Sequence, residues 1–268
     1  MVQKKILFSI ITVCYNSSKT IKNTFNSVLS QTYDNYEYII IDGGSTDGTL
    51  EVIKEFQRKD PDKLKYISES DSGIYNAMNK GIKMANGSYI CILNSDDWFE
   101  PDSLLTIYNT IINNEDPENS VYCGWLKFHY DKNSTQILKS NYQRYVKYAK
   151  QYRMGLIHPA TIVPKNIYEK IGLYDENLKL YGDSDFVVRC YQNSIKVKFI
   201  ESIISNMSDG GLSNKYSKQG LLDRIYILNK YKNNYIKHYY LLTVSYIHHI
   251  LKPNIKEEVL KFIRKFKI

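Results

Sequence analysis

Two adjacent carboxylates, Asp96 and Asp97, end a segment that begins as an apolar run, YICILNSDD at residues 89–97. Like charges side by side repel each other, and moving either out of water costs free energy unless a positive group compensates. A divalent cation bound by carboxylate oxygens supplies that compensation. The pair therefore indicates a Mg²⁺ or Mn²⁺ site. The alternative is a solvated acidic cluster in front of a helix that Pro101 opens.

Other acidic residues occupy similar places. Asp42 follows the apolar run YEYIII, and Asp71 lies in SESDSG, after the run KLKYI. Each also has a structural explanation, because Asp42 suits a turn that caps a strand and Asp71 suits a helix cap. Asp183 and Asp185 lie in YGDSDFVV, at the predicted start of a helix, where the helix dipole favours anions.

The first half of the chain alternates short apolar runs with segments of helical periodicity. Four strand and helix pairs are predicted, and the strands are KILFSIITV, YEYIIID, KLKYISES and YICILN. This alternation is typical of a parallel, doubly wound α/β sheet flanked by helices, whose ligand sites lie beyond the carboxyl ends of the strands. Although loops are generally polar, the residues after these strands are expected to share one site: Tyr15, Asn16, Asp42, residues 69–73 and residues 94–97.

The second half of the chain is less regular. Strands are predicted in SVYCGWLKFHY, GLIHPATIVP and IKVKFIES, and helices in KNIYEKIGLYDENL and YGDSDFVVRCYQN. Residues 142–153 form a basic, tyrosine-rich stretch, and MSDGGLSN is a glycine-rich loop. No internal repeat or low-complexity linker divides the chain.

The composition predicts a globular protein with a sizeable core, since 43% of the 268 residues are hydrophobic and 24% are charged. No run of 18 or more apolar residues occurs, and the opening MVQKKILFSIITVCYN reads as a strand rather than a signal peptide. These observations predict a cytoplasmic protein. Four cysteines without a CxxC pair predict reduced packing residues rather than disulfides or a zinc site.

The net charge of +8 comes from the carboxyl-terminal part of the chain. Residues 215–268 contain twelve Lys and Arg against three acids, a net +9, so the first 214 residues are close to neutral. The last predicted helix has basic residues mostly off an apolar stripe formed by Val259, Phe262, Ile263 and Phe266. Such a helix either lies on an anionic membrane surface or packs on the preceding domain. No nucleic-acid partner is predicted, because the near-neutral core carries no nucleic-acid motif.

Six segments resemble, in order, the successive motifs of the family 2 inverting glycosyltransferases of the GT-A fold. They are FSIITVCYN, IIIDGGSTDGT, SESDSGIYNAMNKGI, CILNSDDWFEPDSL, HPATIVP and YGDSDFVVR, spread over roughly residues 5–215. One such motif is weak, because Asp-Gly-Gly-Ser alone is a common turn, whereas six in order are specific. The resemblance implies a GT-A catalytic domain at residues 1–215, with a nucleotide-binding half at about 1–100 and an acceptor-binding half at about 101–215. A basic, tyrosine-rich helical extension follows at residues 216–268.

The resemblance also implies roles for individual residues. Donor binding is implied at the ends of the four strands, for Thr12, Tyr15, Asn16, Asp42, Asp71, Asn94, Ser95 and Asp96. The metal is implied at Asp96 and Asp97, with Asn94 standing where the family often has another acid. Asp183 matches the catalytic base, preceded by Gly182 instead of the more usual Glu. Donor or acceptor contacts are expected from His158, Asp185, Gly210 and Gly211. The structural alternatives are a strand histidine with internal hydrogen-bond partners for His158, an orienting or capping role for Asp185, and a simple turn for Gly210 and Gly211.

The implied activity is inverting, metal-assisted transfer of a hexosyl or N-acetylhexosaminyl group from a UDP-sugar to a glycan hydroxyl. Bacterial relatives that build capsule or exopolysaccharide often use lipid-linked acceptors, which favours a peripheral location at the inner face of the cell membrane. One alternative is a catalytically silent nucleotide- or glycan-binding subunit, which would not need both NSDD and GDSD. A nucleotidyltransferase would need a basic, glycine-rich phosphate loop that FSIITVCYNSS lacks.

Overall fold

The computed structural model describes residues 7–131, 133–209 and 218–231. Nine β-strands lie within these residues: β1 Phe8–Cys14, β2 Tyr36–Asp42, β3 Leu64–Ser68, β4 Tyr89–Ile92, β5 Asp97–Phe99, β6 Ser120–His129, β7 Thr135–Leu138, β8 Thr161–Pro164 and β9 Lys196–Ser208. The same residues form eight α-helices: α1 Ile21–Leu29, α2 Thr49–Lys59, α3 Ile74–Met84, α4 Ser103–Ile112, α5 Tyr142–Ala149, α6 Lys165–Ile171, α7 Gly182–Gln192 and α8 Lys218–Tyr231. Two short 3-10 helices lie at Pro117–Asn119 and His158–Ala160.

The strands form one sheet in the order β3-β2-β1-β4-β8-β6-β9-β5, with β7 paired to β6. The first four strands run parallel to one another, as their alternation with helices predicts. The second half is mixed, because β8 runs antiparallel to both β4 and β6 while β6 and β9 are parallel. The predicted α/β fold, with a mostly parallel sheet flanked by helices, is confirmed.

The central strands explain the long apolar runs of the sequence. All seven residues of β1 and all seven of β2 are buried, because helices cover both faces of a parallel sheet. Helix α1 packs its apolar face there through Phe25, whose ring contacts the rings of Tyr38 and Phe56 at centroid distances of 5.6 and 4.8 Å. These buried elements hold the carboxyl ends of the strands in fixed register.

Three parts of the second half differ from the expectations or extend them. In GLIHPATIVP only Thr161–Pro164 is a strand. The residues before this strand form a 3-10 helix, because Pro159 fits the first turn of such a helix. The basic stretch at residues 142–153 begins with helix α5. The four cysteines are free and buried, as expected for reduced packing residues.

The described residues fall into two compact units. The first comprises residues 7–131, 133–176 and 182–209 and contains the whole sheet, and the second comprises residues 177–181 and 218–231. The second unit includes α8, so a helical element follows the sheet domain as predicted. The amphipathic helix predicted near the end of the chain lies outside the described residues. Among the described helices, none has the length and apolar character needed to cross a membrane.

Candidate functional site

The carboxyl ends of β1, β2 and β3 lie side by side. Cys14 is paired with Asp42, and Asp42 is paired with Ser68, so the last residues of the three strands are in register. The loops that follow these strands therefore leave the sheet at one edge. Most of the residues predicted to bind a nucleotide donor come from these loops and from the loop after β4.

Asp42 is fully buried at this edge, and serines surround its carboxylate. One oxygen accepts hydrogen bonds from the Ser45 backbone N–H at 3.1 Å and from the Ser68 hydroxyl at 2.6 Å. The other oxygen accepts from the Ser45 hydroxyl. The turn predicted as the structural alternative is therefore present and accounts for Asp42 by itself. Nucleotide contact by Asp42 stays a prediction.

The loop after β1 is tied to the loop after β2. Asn16 has a left-handed backbone, with φ of 50°, which Asn tolerates better than most residues. Its backbone N–H donates to the Ser45 hydroxyl at 2.8 Å, and its side-chain oxygen accepts from the Thr46 backbone N–H at 2.9 Å. Tyr15 precedes it with 64% of its surface exposed. The two loops thus hold an open aromatic ring at the sheet edge.

Asp71 lies across Gly43 from Tyr15. A β-carbon built on Gly43 would be 3.2 Å from the Asp71 carboxylate and 3.4 Å from the Tyr15 ring. The Lys80 ammonium contacts the carboxylates of Asp71 and Glu69 at 2.6 and 2.7 Å. The sequence reasoning missed Lys80, although it stands in the same segment as Asp71, SESDSGIYNAMNKGI. The structure therefore adds a cation to the edge.

The loop after β4 contains Asn94, Ser95 and Asp96 and leads directly into β5, which begins with Asp97. The Asn94 amide donates to one oxygen of Asp97 at 3.2 Å. The side-chain oxygen of Asn94 and the other Asp97 oxygen are inaccessible to solvent and have no hydrogen-bond partner among the described residues. The Ser95 hydroxyl donates a hydrogen bond to the Ser17 hydroxyl at 2.8 Å, and this bond joins the loop to the loop after β1.

Burial perturbs both carboxylates of this loop. Asp97 is fully buried, and its pKa is raised well above the usual value by desolvation and secondarily by the charge of Asp96. The pKa of the half-buried Asp96 carboxyl is raised too, chiefly by burial. A cation close to these two carboxylates would favour their ionised forms.

The oxygen groups of this loop fit a hard divalent cation. Mg²⁺ and Mn²⁺ prefer carboxylate and amide oxygens, which Asp96, Asp97 and Asn94 supply. Within the described part of the chain, no group of three or more His, Cys, Asp or Glu side chains could hold a metal ion by itself. One or two carboxylates completed by substrate phosphates match the usual mode of binding for Mg²⁺.

Asp183 lies in the first turn of α7 and is half-buried. The Tyr75 hydroxyl is 3.5 Å from one of its carboxylate oxygens, and the Ser184 backbone N–H donates to the same oxygen at 2.6 Å. Asp183 also lines a small cavity together with Ile92, the last residue of β4. The cavity therefore connects Asp183 with the strand that leads to Asn94.

Tyr75 explains why Gly182 replaces the larger residue expected before Asp183. A β-carbon at position 182 would lie 2.8 Å from the Tyr75 ring, which is too close for any side chain. The pKa of Tyr75 is raised well above its usual value, first by burial and then by the Asp183 charge, so its hydroxyl keeps its proton. The sequence reasoning did not single out Tyr75, because its proximity to residue 183 depends on the tertiary fold.

His158 lines the same cavity, but it lies in a 3-10 helix and not in the strand that was predicted. Burial lowers the pKa of His158, while the Asp183 charge opposes this effect. Its Nε2 atom is inaccessible and has no hydrogen-bond partner among the described residues. His158 is thus a buried imidazole near Asp183, and its contact with donor or acceptor stays a prediction.

Two of the predicted contact residues have internal partners instead. The Thr12 side chain is fully buried in β1, with its hydroxyl 3.0 Å from that of Tyr38, so a donor contact of Thr12 would come from its main chain and stays a prediction. Asp185 is also fully buried and pairs with Arg189 at 2.9 Å, one helical turn later. The ion pair is a structural role for Asp185, and its contact with donor or acceptor stays a prediction. Gly210 and Gly211 lie outside the described residues.

The sequence matches the family model described as Glycosyl transferase family 2 over residues 9–174. The chain therefore belongs to this family of glycosyltransferases. It is 26% identical to a "PGL/p-HBAD biosynthesis glycosyltransferase" of Mycobacterium bovis. The alignment of 226 residues covers 82% of this chain and 84% of the relative. It is 31% identical over 194 residues to an uncharacterised glycosyltransferase of Rickettsia prowazekii, covering 70% of this chain and 59% of the relative.

Solved structures show the same fold. S. aureus TarS 1–349 in complex with UDP-GlcNAc matches with a TM-score of 0.66 and 20% identity, covering 95% of this chain and 70% of that one. This chain spans only 42% of the longer TarS chain. The mannosyltransferase PcManGT from Pyrobaculum calidifontis, in complex with GDP-Man and Mn²⁺, matches with a TM-score of 0.62 and 15% identity. This match covers 87% of this chain and 66% of PcManGT. The predicted GT-A fold is confirmed.

Proposed function

We propose that this chain is an inverting glycosyltransferase that moves a sugar from a UDP-sugar to a hydroxyl of a glycan acceptor. The supporting observation is the position of Asp183 in a cavity that Ile92, at the end of β4, also lines. This arrangement brings the candidate base to the strand whose loop carries the candidate metal-binding acids. A base and a donor site on one edge are what transfer to a hydroxyl requires.

The donor site in this proposal is the edge formed by the loops after β1 to β4. Tyr15 offers an exposed ring to the nucleotide base, and Asn94 and Asp96 lie where ribose and diphosphate would bind. Lys80 adds a cation next to Asp71. UDP-GlcNAc bound to TarS supports a UDP-sugar, and a hexosyl or N-acetylhexosaminyl group is the proposed cargo. Mn²⁺ bound to PcManGT supports a divalent metal.

The proposed reaction is a single displacement. The acceptor oxygen forms a bond to the anomeric carbon while the bond from that carbon to the diphosphate oxygen breaks on the opposite face, so the configuration inverts. Asp183 takes the proton of the acceptor hydroxyl as the bond forms. Tyr75 and the Ser184 backbone N–H hold the Asp183 carboxylate in place. A cation bound at Asp96 and Asp97 would neutralise charge on the departing nucleoside diphosphate.

The acceptor is proposed to be a growing surface glycan, such as capsule or exopolysaccharide, on a lipid carrier at the inner face of the cell membrane. The mycobacterial relative is named a "PGL/p-HBAD biosynthesis glycosyltransferase", which supports a role in biosynthesis. The basic residues of 215–268 are suited to an anionic membrane surface.

The test replaces the base without changing its shape. Asp183→Asn should lower the rate of UDP release from UDP-sugars in the presence of acceptors by about 10²- to 10⁴-fold, because an amide cannot accept the proton. The dissociation constant for UDP, measured by calorimetry, should not change. The matched control is Asp62→Asn, which removes an exposed carboxylate outside the site.

Transfer at the native rate by Asp183→Asn would show that another group is the base. Tight UDP binding without transfer to any acceptor, in the native chain, would instead favour the catalytically silent binding subunit.

A further inference from the structure

Residues 139–153 form a surface segment that the donor site does not use, here named the basic tyrosine segment. It contains five cations and no acid: Lys139, Arg144, Lys147, Lys150 and Arg153. No acidic residue occurs between Asp131 and Glu169. Positive charge is therefore concentrated here, although residues 1–214 are close to neutral as a whole.

These cations are not neutralised within the described part of the protein. None of the ion pairs found there involves a residue of the basic tyrosine segment. The side chains of Lys147, Lys150 and Arg153 are exposed. Unpaired cations clustered on one segment attract a polyanion and steer its approach.

Two guanidinium groups of the segment share one aromatic ring. The Cζ atoms of Arg144 and Arg153 lie 5.0 and 5.5 Å from the centroid of the Tyr148 ring. The Nε atom of Arg144 is inaccessible to solvent and has no hydrogen-bond partner among the described residues. The exposed Arg153 guanidinium can bind a carboxylate or phosphate with two parallel hydrogen bonds, whereas the Nε atom of Arg144 is not open to a ligand.

The segment also presents aromatic surface. Tyr142, the first residue of α5, is 66% exposed. An exposed ring with a hydroxyl at its edge suits a ligand with both apolar C–H faces and polar groups, as a sugar ring has. The cations and the open ring of Tyr142 together favour a saccharide that carries oxyanions.

The basic tyrosine segment is adjacent to the elements that carry the candidate base. The Tyr145 ring of α5 packs edge to face on the Tyr191 ring of α7 at a centroid distance of 6.0 Å, and Asp183 lies in the first turn of α7. Met154, the next residue after the segment, lines the cavity that contains Asp183. A chain bound along the segment would therefore lead toward that cavity.

We propose that the basic tyrosine segment binds the acceptor and that this acceptor is an anionic glycan, whose sugars carry carboxylate or phosphate groups. The inference rests on the proposed function, because it assigns the substrate class of the same site. The arginines and lysines bind the oxyanions, and Tyr142 packs on a sugar ring.

The test measures binding of matched glycans to the whole chain by calorimetry. The anionic probes are hexagalacturonate and pentamannose phosphate, and the neutral probes are the methyl ester of the first and the unphosphorylated form of the second. We expect the anionic probes to bind at least about tenfold more tightly, with an affinity that falls as salt rises. The double variant Lys147→Gln, Lys150→Gln should weaken their binding by about tenfold. The matched control, Lys54→Gln with Arg58→Gln on α2, should leave it unchanged.

Equal affinity for the charged and neutral forms, no binding of either anionic probe, or unchanged binding by the Lys147 and Lys150 variant would overturn the proposal. Binding only to phosphatidylglycerol vesicles would assign the segment to a membrane and overturn it as well. UDP binding is measured on the same samples. Binding of the anionic probes without any binding of UDP would refute the proposed transferase function and leave the ligand class of the segment standing.

Discussion

Asn94 and Asp97 form an incomplete pair at the end of β4. The Asp97 backbone N–H donates to the Asn94 carbonyl and the Asn94 amide donates to one Asp97 oxygen, but one side-chain oxygen of each residue is inaccessible and has no partner among the described residues. A fully buried carboxylate with so little compensation destabilises the ligand-free protein. Retention of such a group at the edge where the donor is proposed to bind favours a role in function over a role in stability.

Asp97→Asn tests this cost. The substitution replaces a buried ionisable group with a neutral one, and the new amide group can donate a hydrogen bond to the free oxygen of Asn94. We expect the free energy of unfolding of the metal-free protein at pH 7 to rise by about 1–3 kcal/mol, measured by denaturant titration. Asp62→Asn is the surface control. A loss of stability would mean that undetected donors already compensate the carboxylate.

Residues at the site differ in how well the sequence predicted them. The open position of Tyr15 and the loops of Asn16 and Ser95 followed from their places after strands in a parallel sheet. The contact of the Thr12 hydroxyl with Tyr38 was not predictable, because alternation along a strand does not reveal which hydroxyl faces a buried tyrosine. Lys80 was overlooked because its contact with Asp71 depends on the path of the chain between β3 and α3.

Among the elements, β5 marks the limit of reading local patterns. Its three residues, Asp97–Phe99, are a strand only because they pair with Ser205–Met207 of β9, far away in the sequence. Strands β1 and β2 were predictable because seven consecutive buried residues leave an apolar run in each. Short strands that depend on distant partners leave no comparable local pattern.

Helix α8 contributes a buried acid that organises the second unit. One oxygen of Asp223 accepts hydrogen bonds from the backbone N–H groups of Lys179, Leu180 and Tyr181 at 2.8, 2.6 and 3.2 Å. The Arg224 guanidinium lies 4.2 Å from the Tyr181 ring centroid. Residues 177–181 are thus held to α8 by one carboxylate, and they directly precede Gly182 and Asp183 in the chain.

Asp223→Ala should therefore destabilise the protein more than a typical surface change. Three backbone donors in part-buried hydrogen bonds would lose their acceptor, which we expect to lower the free energy of unfolding by about 3 kcal/mol. Asp223→Asn keeps an acceptor oxygen and should recover part of this loss. Thermal and denaturant unfolding measure both variants, and Asp62→Asn is the control. An Asp223→Ala protein as stable as the control would show that water replaces the carboxylate.

At the scale of the whole molecule, acidic and basic side chains with different proposed roles lie on different surfaces. The site edge gathers Asp71, Asp96 and Asp183, which suit a cation and a proton transfer, whereas the basic tyrosine segment suits an anionic ligand. The net charge of a chain does not reveal this separation, because all the acidic and basic residues of the first 214 positions together nearly cancel. The distribution becomes visible only when the fold assigns each charge to a surface.

Ligand binding should raise the free energy of unfolding of the whole chain. A ligand that binds only the folded protein adds about 2.7 kcal/mol at a concentration one hundred times its dissociation constant. We expect UDP with Mn²⁺ to raise the melting temperature of the native chain and of Asp183→Asn equally, and GDP to raise it less. Asp96→Ala should lose the part of the shift that needs Mn²⁺, while Asp62→Asn should respond as the native chain does. A Mn²⁺-dependent shift of equal size in Asp96→Ala would show that Asp96 does not bind the metal. No shift with any nucleotide, in a folded protein, would contradict transfer from a nucleotide donor altogether.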